Sequence, residues 1–441
     1  TVGGLTHRDQ MVGPWQVPVA DCAVTLADYK GFAGEAMAMG ERTPLAALNA
    51  PASGRMAVAE SITNLLAAPI ELPRVKLSAN WMAACGEPGE DADLYATVKA
   101  VGLELCPQLG VSIPVGKDSL SMRTQWKDDT GAKKNVVSPV SLIVTAFATL
   151  QDVRGTLTPQ LDTTEDDTTL VLVDLGRGQC RLGGSILGQV LDQAGDTVPD
   201  LDDAQDLVQL VNAVNALRAK GQILAYHDRS DGGLLAAVAE MAFAGHVGVA
   251  LNVDMLVTEG DGIHDSRMDA GDAKNWAGQV SARREELTLK ALFNEELGVV
   301  LQVRTAERNE VMQTLRAHGL SACSHFVGKT RPVSSTIDAG KGELQVWRDA
   351  KSVFSAKLED LHQVWDAVSW QICQRRDNPA CADAEHAAAG APADPGLHVH
   401  LTFDPAQNVA APFLNLSKPK VAVLREQGVN SHVEMAYAFT E

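Results

Sequence analysis

The sequence predicts an α/β fold (α+β in its mixed form) made of two α/β domains and a shorter C-terminal segment. Apolar runs of strand length recur along the chain, and several end at short glycine-containing turns that lead into helix-patterned segments. With 45% hydrophobic and 21% charged residues, the 441-residue chain has an ordinary globular composition and room for about two to four domains.

The first predicted strand carries an acidic residue inside an apolar run. It covers residues 17–29, and Asp21 lies among its valines and alanines. A carboxylate in this position either faces solvent at a strand edge or is placed to bind a cation. The residues alone leave both interpretations open.

A predicted helix over residues 51–66 places two oxygen donors on one face. Glu60 and Asn64 are separated by one helical turn, so their Cβ atoms are expected within about 6 Å of each other. A carboxylate and an amide oxygen at this spacing suit one Mg²⁺ ion. An exposed Glu/Asn pair is the commoner arrangement when no other ligand is known.

The rest of the first domain is predicted as strands, one helix and a polar turn. Residues 77–83 form a strand, residues 92–109 a helix, and residues 136–150 a central strand or a pair of strands. A strand at residues 111–115 leads into the polar turn, which consists of Gly116, Lys117, Asp118 and Ser119. Close backbone approach, a lysine charge and a hydroxyl together suit a phosphate, although the spacing is not that of a P-loop.

A polar, acidic connection predicts a domain boundary near Asp152. The first domain then covers residues 1–151 and the second residues 152–350. In the second domain, a buried strand at residues 170–175 and a helix at residues 207–220 precede the most informative turn of the chain.

That turn follows a buried strand at residues 223–226. Asp228 is expected at the carboxyl end of a sheet, and Ser230 at a helix amino terminus, where backbone N–H groups and the helix dipole favour anions. A phosphate with a hard cation fits both positions. The commoner alternative is that Ser230 or Asp231 merely caps the helix.

Beyond the turn, the sequence predicts an insertion and an exposed helix end. Residues 259–285 are polar and glycine-containing, as in a surface insertion. Asn294, Glu295 and Glu296 have ligand-type side chains, but a helix end that meets solvent is the favoured interpretation.

The C-terminal part is predicted to contain a linker and the start of a third domain. Residues 351–416 are expected to form a helix and an extended linker. Residues 417–441 are expected to form the first βα unit of a further α/β domain, with a strand at residues 421–424. We therefore expect the chain to be a piece of a longer protein.

Charge and cysteine usage exclude some function classes. A net charge of −19 without Lys/Arg clusters argues against a nucleic-acid partner or an anionic membrane partner. The sequence has no apolar run of about 18 residues and no signal pattern, which predicts a cytoplasmic location. The 7 cysteines are scattered singly, as expected of reduced thiols.

Eight segments together resemble the large single-chain phosphoribosylformylglycinamidine synthases, also called formylglycinamide ribonucleotide amidotransferases. They are TVGGLTHRDQMVGPWQVPVADCAVT, AESITN, LSANWMAA, IPVGKDSLSM, AYHDRSDGGLL, LFNEELG, RDNPACADAEH and KVAVLREQGVNSHVEMA. The resemblance runs nearly end to end. By it, the chain is identified as the C-terminal half of the synthetase region plus the start of the class I glutaminase domain.

The resemblance implies a module similar to aminoimidazole ribonucleotide synthetase, present in two copies of which this is the second. The whole enzyme would be a glutamine-dependent C–N ligase of purine biosynthesis. It would convert formylglycinamide ribonucleotide, ATP and glutamine to formylglycinamidine ribonucleotide, ADP, phosphate and glutamate. Its implied partners are that substrate, the N-terminal synthetase half and the C-terminal glutaminase domain. The fragment alone would be inactive with glutamine.

The same resemblance implies the site residues. The family's Mg²⁺ ligands fall on Asp21, Glu60, Asn64 and Asp228, and its contacts to ATP or ADP fall on Ala20 and Ser230. The segment from Gly116 to Ser119 would lie near the substrate phosphate, with Lys117 where small relatives have Asn. No catalytic residue falls within the chain.

Two roles for this cluster remain open at the level of sequence. It is either part of a working ATP-dependent ligase centre or a structural site that holds ADP and Mg²⁺, and the resemblance favours the second. Outside the family, the alternatives are a relative of aminoimidazole ribonucleotide synthetase or selenophosphate synthetase, or a non-catalytic nucleotide-binding scaffold. The catalytic Cys or Lys that would support a selenophosphate synthetase is not found.

Overall fold

The computed structural model describes residues 4–257, 273–332 and 342–440. The chain divides into two units, Thr1–Leu397 and His398–Glu441. All the described strands belong to the first unit, which also contains the candidate site.

The N-terminal part of the first unit is built on a mixed six-stranded sheet and a separate two-stranded hairpin. The strands are β1 (Thr6–Arg8), β2 (Ala23–Leu26), β3 (Gly34–Glu41), β4 (Lys76–Met82), β5 (Ser112–Ser119), β6 (Arg123–Lys127), β7 (Lys133–Val137) and β8 (Ser141–Leu150). The six-stranded order is β1-β2-β3-β8-β4-β5, and the hairpin pairs β6 with β7. The predicted central strand is confirmed, because β8 lies between β3 and β4.

The helices of this part are led by α2 (Ala50–Leu65), which carries two predicted ligands. The others are α1 (Thr43–Ala46), α3 (Glu90–Val98) and α4 (Cys106–Leu109), with a π-helical stretch, Lys99–Leu105, before α4. Asn49 caps α2, since its Oδ1 accepts a hydrogen bond from the Ala52 N–H at 3.1 Å. Gly40 on β3 lets α2 approach closely, because a Cβ there would lie 2.2 Å from the Ala57 carbonyl oxygen.

The next part of the unit is built on a seven-stranded mixed sheet. Its strands are β9 (Thr168–Asp174), β10 (Ala225–Arg229), β11 (Gly248–Asn252), β12 (Gly298–Arg304), β13 (Ser324–Arg331), β14 (Glu343–Arg348) and β15 (Lys351–Lys357). The order is β10-β12-β9-β13-β11-β14-β15. All five residues of β10 are buried, as expected of a strand covered on both faces.

Helices line this second sheet and extend beyond it. They are α5 (Ile186–Val190), α6 (Ala204–Ala219), α7 (Gly233–Gly245), α8 (Ala273–Phe293), α9 (Arg308–Ala317), α10 (Leu358–Arg376) and α11 (Pro379–Ala389). The predicted sequence of strand, turn and helix around Asp228 is confirmed by β10 and α7. The Tyr226 hydroxyl donates to the Thr63 carbonyl oxygen at 2.6 Å and so joins β10 to α2.

The segment predicted as a helix and an extended linker begins instead with strand β15, which pairs with β14. The linker itself is wrong in its first part, because Pro379–Ala389 is helical. Asn378 caps this helix through its Oδ1, and proline in the first helical turn suits the position. The alanine-rich run then continues the helix, and Trp370 of α10 stacks on His386 of α11 with ring centroids 4.4 Å apart. Composition suggested an unfolded linker, whereas capping and packing produce a helical hairpin.

The strand predicted at residues 421–424 is also wrong, because these residues have no regular structure. A strand needs a neighbour to satisfy its N–H and C=O groups, and the described part of the second unit offers no other strand. The helix predicted after it is present as α12 (His432–Thr440).

The insertion predicted at residues 259–285 lies largely outside the described residues, which resume at residue 273. Helix α8 begins there, so residues 273–285 of the predicted insertion are helical. No helix among the described residues is long and apolar enough to cross a membrane. All 7 cysteines are free thiols, as predicted.

Candidate nucleotide and metal site

Two predicted ligands meet where the N-terminal part contacts the second sheet. Asp21 comes just before β2, and Asp228 lies near the end of β10. The Asp228 backbone N–H donates to Asp21 Oδ1 at 3.0 Å. The side chains are almost fully buried, with 0% exposure for Asp21 and 7% for Asp228. The alternative of a solvent-facing Asp21 at a strand edge is therefore excluded. The prediction that Asp21 lies within a strand is wrong, because β2 begins at Ala23.

The second oxygen of each carboxylate lacks a protein partner. Asp21 Oδ2 and Asp228 Oδ2 are buried and accept no hydrogen bond from any described residue. A buried acceptor without a partner is costly, and a hard cation satisfies two such carboxylate oxygens at once. Ligand atoms of Asp21, His227 and Asp228 all lie within 4.8 Å of one another. The residues thus fit a Mg²⁺ ion.

His227 lies between two carboxylates. Its Nδ1 is 2.8 Å from Asp21 Oδ1, and its Nε2 is 2.9 Å from Glu240 Oε2. Burial alone would lower the pKa of His227, but the Asp21 and Glu240 carboxylates raise it well above its ordinary value. Burial and the nearby Asp21 carboxylate raise the pKa of Asp228. The imidazole is thus positioned to orient Asp21 rather than to bind a metal itself.

Glu60 and Asn64 lie on α2 beside the carboxyl end of β3. Glu60 Oε2 accepts from the Glu41 N–H at 2.7 Å, and Asn64 Nδ2 donates to the Met39 carbonyl oxygen at 3.0 Å. Burial raises the pKa of Glu60 to about 7, and its charge in turn raises that of Asp228. The structure therefore brings the predicted ligands Asp21 and Asp228 into contact. Glu60 lies close enough for its charge to affect Asp228, whereas the amide nitrogen of Asn64 faces β3.

The turn after β10 forms the amino terminus of α7. Ser230 is half-buried, and its carbonyl oxygen accepts from the Gly233 N–H at 3.0 Å. The Gly232 N–H donates to Glu295 Oε1 at 2.9 Å, so a carboxylate of the protein already occupies part of the predicted anion site. Ala20, the other predicted nucleotide contact, is half-buried beside Asp21.

The prediction that Asn294, Glu295 and Glu296 form a solvent-exposed helix end is wrong. The three residues are only 2%, 2% and 0% exposed. Glu296 pairs with Arg181, whose Nε lies 2.7 Å from Glu296 Oε1. Asn294 Nδ2 donates to the Lys290 carbonyl oxygen and so caps α8. The acidic pair is buried because each carboxylate has a distant arginine partner that the local pattern does not reveal.

Arg42 is a site residue that sequence reasoning missed. It follows β3, is 2% exposed, and lies between three carboxylates. Its Nη2 is 2.7 Å from Glu295 Oε2, and its Nη1 is 3.0 Å from Asp231 Oδ1 and 3.7 Å from Glu60 Oε1. Burial would lower the pKa of Arg42, but these carboxylates raise it. Arg42 thus connects the ligand helix α2 to the turn that begins α7.

The polar turn predicted at residues 116–119 is wrong, because these residues complete strand β5. Gly116 fits beside β4, where a Cβ would lie 2.6 Å from the Ala79 carbonyl oxygen. Lys117 Nζ donates to Ser119 Oγ at 2.5 Å, and both Lys117 and Asp118 are exposed. Across the sheet, Lys117 of β5 is in register with Glu41 of β3, whose N–H binds Glu60. Three strand spacings separate them, so Lys117 lies about 14 Å from that edge of the candidate site. The phosphate role of this segment stays a prediction.

Comparison with known families supports the fold. Residues 1–149 match the FGAR-AT PurM_N-like domain, and residues 169–336 match the C-terminal domain of AIR synthase related proteins. The predicted fold of two AIR-synthase-like α/β domains is confirmed.

Solved structures of similar fold include PurL from Thermotoga maritima. PurL complexed with FGAR is 13% identical, with a TM-score of 0.52, and the alignment covers 80% of this chain and 49% of that one. PurL complexed with ADP is 12% identical, with a TM-score of 0.51 and coverages of 79% and 47%. At these identities the similarity shows the fold alone. The chain spans about half the length of these structures.

Proposed function

We propose that the chain, which carries the two domains of the AIR synthase-like fold, is the second synthetase module of a phosphoribosylformylglycinamidine synthase. The match of residues 1–149 to the FGAR-AT domain model carries this proposal. That model describes a domain of formylglycinamide ribonucleotide amidotransferases rather than a general nucleotide-binding domain. The solved PurL complexes with ADP and FGAR, which share the fold, are consistent with it.

In the parent enzyme, the proposed reaction is ATP-dependent C–N bond formation. The amide oxygen of formylglycinamide ribonucleotide attacks the γ-phosphorus of ATP and ADP leaves. Ammonia from glutamine then displaces phosphate from the resulting iminophosphate to give the amidine. The substrate, the N-terminal synthetase half and the glutaminase domain are the partners that this reaction requires.

The role that we propose for the site described above is to hold ADP and Mg²⁺ as a structural ligand. Asp21 and Asp228 would bind the ion with their unpaired oxygens, assisted by Glu60 and by the amide oxygen of Asn64. Ala20 and Ser230 would contact the nucleotide. Bound Mg²⁺ would neutralise the phosphate charge, while the protein residues orient the ligand and exclude water.

The position of the site favours a structural role. Its ligands come from both parts of the first unit, so a bound ligand would join them. A ligand at a thousandfold excess over its Kd stabilises the folded state by about 4 kcal/mol. Such a contribution is a sizeable fraction of the usual net stability of a domain, which is about 5–15 kcal/mol.

Exposed apolar side chains on strand β5 and on the separate β6–β7 hairpin support a protein partner for the N-terminal part. Val115 on β5 is 60% exposed, Trp126 on β6 is 46% exposed, and Val136 on β7 is 57% exposed. Large apolar side chains that are exposed to solvent in a group are typical of interaction surfaces. The predicted N-terminal synthetase half is the partner that we propose for this surface.

Nucleotide exchange distinguishes the structural role from a working ligase site. The purified chain would be incubated with radiolabelled ATP and Mg²⁺, passed through gel filtration, and its bound nucleotide identified. We expect endogenous ADP to stay bound and labelled ATP to enter slowly. Rapid and complete exchange would show that the Asp228 cluster belongs to the reacting centre and would overturn the structural assignment.

A further inference from the structure

A continuous chain of hydrogen bonds connects helix α10 to the candidate metal site. The Trp365 indole N–H donates to Glu240 Oε1 at 2.9 Å. The other carboxylate oxygen, Glu240 Oε2, lies 2.9 Å from His227 Nε2. His227 Nδ1 in turn lies 2.8 Å from Asp21 Oδ1. We call these four residues the relay.

The relay restricts the orientation of Asp21. Both ring nitrogens of His227 face carboxylate oxygens, so the ring cannot rotate without losing two hydrogen bonds. The same ring holds Asp21 Oδ1, which also accepts from the Asp228 N–H. Asp21 Oδ2 then remains as the oxygen without a partner. Residues that orient a metal ligand in this way usually affect metal affinity although they never touch the ion.

The outer end of the relay is fixed by aromatic packing between α7 and α10. Glu240 and Phe243 lie one helical turn apart on α7, as do His362 and Trp365 on α10. Phe243 stacks on His362 with ring centroids 4.6 Å apart, and Trp365 is 6.1 Å from Phe243. The Trp365 donor therefore reaches Glu240 only while α10 is docked on α7.

We propose that Trp365 and Glu240 are positioning residues of the metal–nucleotide site and that the docking of α10 is coupled to occupancy of that site. This inference rests on the proposed function of the Asp21 and Asp228 cluster. If occupancy favours the oriented Asp21, it also favours docked α10, because coupling between two equilibria is reciprocal. The structure thereby assigns α10 a regulatory contact with the site, although it supplies no ligand.

A matched pair of tryptophan variants tests the coupling. Trp365→Phe removes the relay donor and keeps an aromatic ring. Trp370→Phe is the control, because Trp370 lies on the same helix and donates to Asp383 Oδ1 at the same 2.9 Å, outside the relay. Each protein would be freed of nucleotide, and the Kd for ADP in the presence of Mg²⁺ would be measured by equilibrium dialysis. Asp228→Asn tests the site itself.

We expect Trp365→Phe to raise the Kd for Mg²⁺–ADP by about 3- to 10-fold and Trp370→Phe to leave it unchanged. Glu240→Gln, which keeps the side-chain shape and loses the charge, should raise it by about 10-fold or more. Suppose that Trp365→Phe and Glu240→Gln both bind Mg²⁺–ADP normally while Asp228→Asn does not bind it. This result would overturn the proposed coupling but leave the proposed function standing. Normal affinity in Asp228→Asn, or no binding by the wild type, would overturn the proposed function and the coupling with it.

Hydrogen exchange in α10 supplies a readout that a merely structural tryptophan would not change. Mg²⁺–ADP should slow amide exchange of residues 358–376 in the wild type and in Trp370→Phe, and slow it less in Trp365→Phe. Equal slowing in all three proteins would contradict the coupling. If Trp365→Phe fails to fold, Glu240→Gln would be compared with Trp370→Phe in the same experiment.

Discussion

At the scale of single residues, the site depends on carboxylate oxygens that the protein leaves without partners. Asp21 and Asp228 each have one buried oxygen without a partner among the described residues, and burial together with the Asp21 carboxylate raises the pKa of Asp228. Arrangements of this kind usually lower stability until their ligand binds. Removal of one carboxylate should therefore preserve or raise the free energy of unfolding without ligand and lower it with ligand.

The variant Asp228→Asn tests these two opposite effects on stability. Without ligand, the variant should be at least as stable as the wild type, because one of two adjacent buried carboxylates is gone. With excess Mg²⁺ and ADP it should lack the stabilisation, about 3–4 kcal/mol at saturation, that the wild type gains. Urea unfolding with and without ligand measures both effects. Asp174→Asn is the control, since it breaks the buried Asp174–Arg229 pair and should cost about 3–5 kcal/mol in either condition.

His246 predicts a pH dependence of stability outside the site. It stacks on Trp15 with ring centroids 3.7 Å apart, and burial with nearby His362 lowers the pKa of His246 to about 4. The unfolded chain takes up this proton near pH 6.5. The contribution of neutral His246 is thus complete above that pH and is lost as pH falls towards 4.

We expect this loss to be about 1–2 kcal/mol, less than the full shift implies, because the ring is only partly buried. Urea unfolding at pH 7.5 and 4.5 measures it. His246→Asn, which tolerates the left-handed φ of 46°, should lose less stability between these pH values. An unchanged loss in this variant would contradict the assignment, and His400→Asn, an exposed histidine of the second unit, serves as control.

At the scale of elements, the amino terminus of α7 is fixed by a carboxylate from a distant segment. Glu295 accepts from the N–H groups of Gly232 and Ile186 and pairs with Arg42. Glu295→Ala should lower the free energy of unfolding by about 3–5 kcal/mol, because it leaves a buried arginine without its closest partner. Glu71→Ala, which removes an exposed pair with Arg74, should cost at most about 1 kcal/mol. Similar losses in the two variants would refute this role.

The close contact between α2 and β3 is tested by a substitution at Gly40, with Gly102 of the π-helical stretch as the control. Gly40→Ala places a Cβ 2.2 Å from the Ala57 carbonyl oxygen and should cost more than about 2 kcal/mol. Gly102→Ala has open space around its Cβ in a helical segment and should stabilise by about 0.5–1 kcal/mol. Thermal unfolding of both variants measures these changes in stability. An unchanged stability of Gly40→Ala would contradict the prediction, because it would show that α2 can move away from β3 without cost.

Local patterns predicted α2 and β10 because their apolar periodicity is visible within a few residues. Local patterns failed for residues whose ion-pair or strand-pairing partners are far away in the sequence. Arg42 and Glu295 are 253 residues apart, and no local signal distinguishes this buried pair from exposed charges. The segment from Gly116 to Ser119 has the composition of a turn, yet pairing with β4 makes it a strand. Arg42 directly follows a strand and precedes a Thr-Pro helix start, but this local context does not reveal its distant partner.

At the scale of the whole molecule, the site connects two parts that sequence comparison treats as separate domains. The Tyr226 hydroxyl, Arg42 and the Asp21–Asp228 contact all cross this junction. A ligand bound there would make their unfolding more cooperative. The site would thus contribute to the stability of the two-domain fold, in agreement with the proposed structural role.

The most direct test of this account is the ligand content of the protein as purified without added nucleotide. The wild type and Asp228→Asn would be denatured, and the released nucleotide and Mg²⁺ would be measured by chromatography and metal analysis. We predict stoichiometric ADP and Mg²⁺ from the wild type and neither from Asp228→Asn. Equal amounts of ligand from the two proteins would contradict the assignment of this cluster as the metal–nucleotide site.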